Sequence, residues 1–507
     1  MKTRGRHQVR PLRGLHFACL LAYPFSTALL AAEPREPLHR TIDLNRGETQ
    51  QVQFSNGITA KVKLLDVREA RDTLRGAVRR AEVTVEINGV VTNLVSGNYH
   101  LPLTLAGVQV DCPVTDGYRD ARNHRGNVWA LEKDARLRLW PAGSSFLEPG
   151  QFSYPVKQRW FASLTQMGNE PTYVDGGDDP GNAGLYYHAG CDMGGCERLT
   201  EVVAASDGLI VMAHGNILPA YADLPFHEKS DGPDLIYVLE DHGWIHRYAH
   251  LRDVEPTVRS GARVKRGQRL GLLGKEGGSG GWSHLHFDIR SRQPSGQWGH
   301  QDGYAFLWEA YQREYQPKLL AVARPHHLIA TREKVVLDGS RSWSASGKVA
   351  SYEWTLSDGT TSRAQKIERR YDHPGSFSET LKVTDAAGRV AYDFCVVQVI
   401  DRAHPEKLPP TLHATYAPTL GVKPGDSVRF EARTFRTSAG KETWNFGDGT
   451  PAIETHSDGN ANAYAVDGYG STTHRFAKPG HYVVSVERIG HTGAKAVARL
   501  HVPVGQQ

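Results

Sequence analysis

Apolar and polar residues alternate with a period of two along much of this chain. Ala60, Val62 and Leu64 in the stretch Thr59 to Leu65, and Ala81, Val83, Val85 and Ile87 further on, are separated by polar side chains. That is the spacing of strands with one buried face. Asn56-Gly57 and Asn88-Gly89 supply the turn residues that tight hairpins need. The pattern predicts a small β domain over residues 33–155. It returns in Trp244, His246, Tyr248 and His250, which should share one face of a strand. It returns again in Ser283 to Arg290, with His284 and His286 on one side and Leu285 and Phe287 packed behind. Few long segments carry a helical period, and 52 glycines suit turn-rich β structure. A length of 507 residues predicts three or four domains. The expected fold class is therefore mainly β and multidomain.

Charge and hydropathy alter this picture at the N-terminus. Residues 1–14 contain Lys2, Arg4, Arg6, Arg10 and Arg13 and no acid, and an apolar stretch from Leu15 to Ala32 ends in small residues. This reads as a signal peptide over 1–32, too short and too interrupted for a good membrane span. No later segment is apolar enough to cross a bilayer, so export to the periplasm, cell wall or exterior is expected. The formal net charge of +5 resides in that leader, which leaves the remainder near neutral. Such a balance gives no support for a nucleic-acid partner.

Four ordered segments carry the chemistry. They are His188-Ala189-Gly190-Cys191-Asp192, Tyr248-Ala249-His250-Leu251, the turn Gly277 to Gly281, and His284-Leu285-His286-Phe287. Together they offer two histidines and a carboxylate for a metal, with two further histidines for proton transfer. A catalytic zinc site takes three protein ligands and keeps one position open. If His188, Asp192 and His286 bind metal, His250 and His284 are left to act as base and oxyanion stabiliser. His188 and Asp192 lie among glycines, which predicts a loop at the cleft wall. The run Gly277–Gly281 lacks the Gly-Lys-Ser/Thr ending of a phosphate loop and reads as a hairpin turn.

Residues about 175–300 resemble the lysostaphin/LytM-type zinc metalloendopeptidases, which carry H-x-x-x-D, a lone histidine in a Y-x-H-L-like strand and H-x-H. The stretches Ala204 to Val211 and Val264 to Gly274 resemble that family's intervening hairpin and strands. The resemblance implies Zn2+ at His188, Asp192 and His286, catalytic roles for His250 and His284, and peptide crosslinks of bacterial peptidoglycan as substrate. Trp282-Ser283 departs from the family pattern, which more often has a small residue or proline there, and Asn216 to Asp234 is longer than a usual connection. Downstream, Val335 to Ser342, Tyr352-Glu353-Trp354 and Val383-Thr384-Asp385 resemble a polycystic kidney disease (PKD) domain. A weaker copy follows at Trp444 to Gly449 and Lys478 to Tyr482. Both imply immunoglobulin-like sandwiches, with Trp354 and Trp444 as core residues. The expected organisation is a peptidase domain at 156–315 and sandwiches at 320–402 and 408–507. The sandwiches would act as spacers or contact wall or polysaccharide.

Other residues take ordinary readings. His214, His227, His242 and His246 are expected to be structural. In an exported chain Cys191 and Cys196 are expected to pair across Gly194-Gly195, the alternatives being pairing with Cys112, free thiols, or a cysteine as an extra zinc ligand. Two other functions compete with the wall endopeptidase: a secreted protease of Gly-rich proteins, and a wall-binding or adhesion protein that does not hydrolyse.

Overall fold

The computed structural model describes residues 34–505, apart from 98, 124, 169, 172–178, 229–230 and 492. The expected signal peptide lies outside the described residues. Strand dominates, and no described helix is long and apolar enough to cross a membrane.

Two four-stranded antiparallel sheets come first. One has the order Arg40–Leu44, Ala135–Pro141, Val108–Thr115, Leu103–Leu105; the other runs Thr49–Gln53, Thr59–Arg71, Val78–Ile87, Val90–Ser96. The alternating apolar positions meet between them: Val62, Leu64, Val83, Val85 and Ile87 pack on Ile42, Leu137 and Leu139. Each such side chain removed from water contributes about 1.5–3 kcal/mol. Asn88 and Gly89 both have positive φ, as a two-residue hairpin turn requires.

The central region is a nine-stranded sheet. Its main path runs Asn216–Ile217, Gly208–Ala213, Ile236–Leu239, Ile245–Ala249, His284–Arg292, Cys191–Gly194, Thr165–Gln166. A three-stranded sheet, Glu201–Val203, Arg269–Leu273 and Leu251–Val254, shares its core. Ile210, Val238, Tyr248, Leu285, Phe287 and Ile289 pack there with Val202, Leu270 and Leu273. One α-helix, Tyr304–Tyr315, closes the same core with Phe306, Leu307, Trp308 and Tyr311. The sequence pattern did not signal this helix. Tyr304 to Trp308 are buried one after another, so no polar face breaks the run.

Two β-sandwiches follow. In the first, a sheet containing Val390–Ile400, Gly375–Asp385 and Val349–Thr355 faces the pair Val335–Asp338 and Lys366–Arg369. In the second, Thr411–Ala417, Val428–Phe435 and Gly470–His474 face Ile453–Thr455, Glu442–Asn445, Gly480–Ile489 and Lys495–Val504. Trp354 and Trp444 are fully buried at the two centres, as the core reading requires. Phe161 and Leu164, from the segment leading into the central sheet, pack into the second sandwich.

The expected disulfide is absent. Cys112, Cys191, Cys196 and Cys395 are all buried free thiols. Cys191 belongs to the strand Cys191–Gly194 and enters the main core. Cys196 lies beyond the strand's end, its Sγ 3.8 Å from Thr415 Oγ1 of the second sandwich. An extended chain advances about 3.3 Å per residue. This carries the two cysteines out of the ~4.4–6.8 Å Cα separation that a disulfide needs.

Candidate metal centre

The site is built on the ladder between Cys191–Gly194 and His284–His286. Asp192 stands directly opposite His286, and His286 also pairs with Ala249 on its other side. Directly opposed residues have Cβ atoms about 4.5–5.5 Å apart, so backbone pairing alone brings the carboxylate to the imidazole. Asp192 is thus on a strand, not on the expected loop; the neighbouring glycines had suggested irregular backbone. His188 does lie outside regular structure, four residues upstream. Gly190 between them has φ +108°, and a Cβ there would lie 2.9 Å from His286 Cε1. Only glycine allows this backbone to run so close to the ring.

His284, His286 and Asp288 share one face of their strand, opposite Leu285 and Phe287. On the neighbouring strand His246 and Tyr248 pair with Ile289 and Phe287 and belong to the core side. Continued alternation would have put His250 there with them. Instead the strand ends at Ala249 and His250 takes φ +71°. This left-handed turn brings its ring to 4.7 Å from that of His284 and 6.0 Å from that of His286. The expected four-residue face therefore breaks at its last member, and the break puts His250 in the site. Such a conformation costs a non-glycine residue on the order of 1–3 kcal/mol and persists only where its surroundings enforce it. Here Asp234 Oδ2 accepts the His250 backbone N–H at 3.2 Å.

His188 Nε2 lies 3.1 Å from Asp192 Oδ2 and 3.3 Å from His286 Nδ1, and His286 Nδ1 lies 2.8 Å from Asp192 Oδ1. One donor atom from each residue falls within 4.8 Å of the others, the reach of a single ion. The outward nitrogens are also accounted for. His188 Nδ1 meets the Met167 carbonyl at 3.1 Å, and His286 Nε2 meets Asp288 Oδ2 at 3.2 Å. His250 Nδ1 meets the Glu276 carbonyl at 2.7 Å, and His284 Nδ1 meets the Trp282 carbonyl at 3.0 Å. Carbonyls and carboxylates accept only, so each of these nitrogens carries the proton. The opposite nitrogens of His188 and His286 face Asp192, and would present lone pairs inward once an ion lies between them. Outer partners of this kind fix tautomer and orientation in metal sites. Two imidazoles and a carboxylate suit zinc or another divalent transition ion.

Electrostatics favour ionised carboxylates here. Burial opposes charge on His286, but its hydrogen bonds to Asp192 and Asp288 raise it above the ordinary value, a proton that a bound cation would displace. Burial opposes charge on Asp192, but His188 and His284, with hydrogen bonds from His188 and His286, hold its carboxyl well below the usual range. Asp288 is likewise buried, and Arg247 at 2.9 Å and Arg290 at 2.7 Å keep it ionised. Burial, reinforced by His284 and His286, holds His250 well below its ordinary value, so its ring is neutral and able to accept a proton. His188, Asp192 and His284 are each 2% exposed, whereas His286 is 9% exposed and the His250 side chain 12%. The cluster is therefore most open at His250 and His286.

His246 has no place in the site. Its Nδ1 meets Ser206 Oγ at 3.1 Å and its ring packs on Phe152 and Phe287. The supporting Met167 and Glu276 carbonyls had no sequence signal, since any residue supplies a carbonyl. Asp288 directly follows the quoted motif His284 to Phe287, and Trp282 stood out only as a departure from it. The Asn216 to Asp234 insertion lays Leu218, Tyr221, Leu224 and Phe226 over the outer face of the sheet.

Residues 186–297 match peptidase family M23, and residues 317–399 and 412–502 each match the PKD domain. The chain thus contains a LytM-type peptidase domain followed by two PKD domains. Among curated proteins it is similar to Collagenase ColA of Clostridium perfringens (strain 13 / Type A), 28% identical over 86 residues. That match covers 17% of this chain and only 8% of the collagenase. Among solved structures it is similar to Helicobacter pylori Csd3, with 13% identity, 53% of this chain and 82% of that one covered, and a TM-score of 0.21. It is also similar to a catalytic-domain mutant of the prophage-encoded M23 protein EnpA from Enterococcus faecalis. There the identity is 19%, the coverage 29% and 93%, and the TM-score 0.18.

Proposed function

We propose that this chain is an exported zinc metalloendopeptidase that hydrolyses peptide crosslinks of bacterial peptidoglycan. His188, Asp192 and His286 would hold the zinc, and His250 and His284 would be the catalytic pair. The observation that supports this best is the convergence of one donor atom each from His188, Asp192 and His286 within 4.8 Å of one another. Each of the four histidines has its outer nitrogen tied to a carbonyl or carboxylate, leaving the other nitrogen for the site. A packing role does not require that agreement.

When bound, zinc would supply the positive charge that polarises a peptide carbonyl and acidifies water. The chain's own residues do the rest. Asp192 and Asp288 stay ionised and orient His286. Nε2 of His284 is our choice for the base that takes the proton of the attacking water. Nε2 of His250 would steady the developing oxyanion, and the two roles are exchangeable. The proton then passes to the amine as the peptide C–N bond breaks, and water's oxygen remains on the acyl carbon. The sandwiches would contact wall or polysaccharide or hold the peptidase at a distance. A secreted protease of Gly-rich proteins is the second reading, favoured by the short similarity to a collagenase.

The test is digestion of purified sacculi of several crosslink types by zinc-loaded protein, with products read by mass spectrometry. New amino termini at one type of link are expected. His284→Ala should keep zinc and lose cleavage, whereas His188→Ala and Asp192→Ala should lose both. Intact sacculi with a zinc-loaded chain, or a metal-free His284→Ala protein, would overturn the reading. Cleavage of Gly-rich protein instead of sacculi would favour the second one.

A further inference from the structure

The turn that precedes His284 is held by the second sandwich. Tyr464 Oη donates to the Gly277 carbonyl at 3.0 Å, Asn460 Nδ2 to the Gly280 carbonyl at 3.0 Å, and Arg433 to the Gly281 carbonyl. Asn460 and Tyr464 belong to the segment inserted between the strands Ile453–Thr455 and Gly470–His474. A Cβ on Gly281 would lie 2.1 Å from Asn460 Oδ1, which shows how closely this segment seats on the turn.

The last contact bears on the chemistry. The Ser283 backbone N–H donates to Tyr469 Oη at 2.7 Å, and that hydroxyl is also hydrogen-bonded with His413 Nδ1 at 2.8 Å. Between Ser283 and the turn sits Trp282, fully enclosed, with its ring 3.8 Å from the His284 imidazole and only 16° from parallel. His413 meets the same indole edge-on at 5.1 Å, and Val396 and Phe435 close the remaining side. The Trp282 carbonyl accepts the His284 Nδ1 proton. One residue thus sets both the plane of the imidazole, by stacking, and its rotation, by hydrogen bonding.

We propose that Tyr469 of the second sandwich is a positioning residue for His284, acting through Ser283 and Trp282, so that this sandwich is a working part of the peptidase site. The proposal deepens the peptidase reading and rests on His284 being the proton-transfer group. Without the hydroxyl, the fully buried Ser283 N–H loses its acceptor. A buried unpaired donor is costly, so the backbone shifts to find another partner and carries Trp282 with it. Reacting groups displaced by ~1 Å lose about 100-fold in rate, and a fraction of that displacement loses correspondingly less.

Tyr469→Phe in the full zinc-loaded chain tests this in two independent arms. In turnover of the peptidoglycan peptide cut by the parent, kcat should fall about tenfold while KM and bound zinc stay at parental values. In proton NMR of the zinc-loaded chain, the His284 Hε1 signal, assigned by its absence in His284→Gln, should move away from its ring-current-shifted position. Trp282→Phe should move the same signal and lower kcat in the same sense. An unmoved signal, or a kcat loss accompanied by loss of zinc, would overturn the proposal. The NMR arm does not depend on turnover: a parent that cuts no wall peptide refutes the substrate, while the signal still decides the positioning.

Discussion

Replacing Gly190 by alanine gives the most direct test of how tightly the site is built. The new Cβ would sit 2.9 Å from His286 Cε1, 3.0 Å from its Nε2 and 3.1 Å from Asp288 Cβ. Carbon atoms pack at about 3.5–4.0 Å, so the ring must retreat by roughly 0.5–1 Å. Gly190 itself has little room to yield, since its N–H is fixed on His300 Nε2 at 2.9 Å and the ladder that pairs Asp192 with His286 begins at the next residue, Cys191. Metal–ligand distances tolerate about 0.2 Å of error, so the displaced imidazole no longer reaches an ion centred on His188 and Asp192. The positive φ of +108° adds strain on the order of 1–3 kcal/mol. Zinc affinity should therefore fall at least tenfold, or about 1.4 kcal/mol. Competition against a chromophoric chelator measures it, and melting of the metal-free chain run in parallel separates lost affinity from lost fold. Parental zinc affinity in Gly190→Ala, whatever its melting temperature, would refute the steric argument.

Two further outcomes follow from burial. Burial pushes His246 from 6.5 down to about 4, so the folded chain prefers the neutral ring while the unfolded chain takes up a proton near 6.5. The associated stability is complete above that value and drains away as the pH falls to about 4, by roughly 3 kcal/mol. Denaturant midpoints at pH 7 and pH 5 should show the fall, and His246→Gln should show a shallower one; identical slopes would exclude His246 as the cause. Burial also pushes the Cys112 thiol up to about 12, and Cys191 and Cys196 well above the usual range. In a chain beginning after residue 32, an aromatic disulfide reagent should find no reactive thiol in the native state and four after unreduced denaturation; two would restore the discarded disulfide.

The histidines of the site were legible because side-chain identity and a two-residue spacing are local. His284 and His286 do lie on one face of a strand, with Leu285 and Phe287 behind. Asp192 was misread for a reason of scale. Its strand is only four residues long, rich in small residues and defined by the partner it pairs with, none of which a local pattern records. His250 was assigned the right neighbourhood by the wrong route, because alternation says nothing about where a strand stops. The helix Tyr304–Tyr315 escaped because its first five residues are buried one after another, which masks the period that betrays a surface helix. The cysteines invited a local bridge that the extended backbone pulls apart. Contacts such as Ser283 with Tyr469 join residues far apart in the chain, and no motif links them.

The ladder that sets Asp192 opposite His286 also fixes an order of events. Its spacing comes from backbone hydrogen bonds and from Leu285 and Phe287 in the core, none of which passes through an ion. In small zinc modules the ion is the scaffold, and folding waits for it. Here the polypeptide is the gauge and the ion the object measured against it. If the site takes an ion as proposed, such a chain should be able to finish folding before it collects that ion. A chelator should strip it to an inert but intact protein, ready to be loaded again.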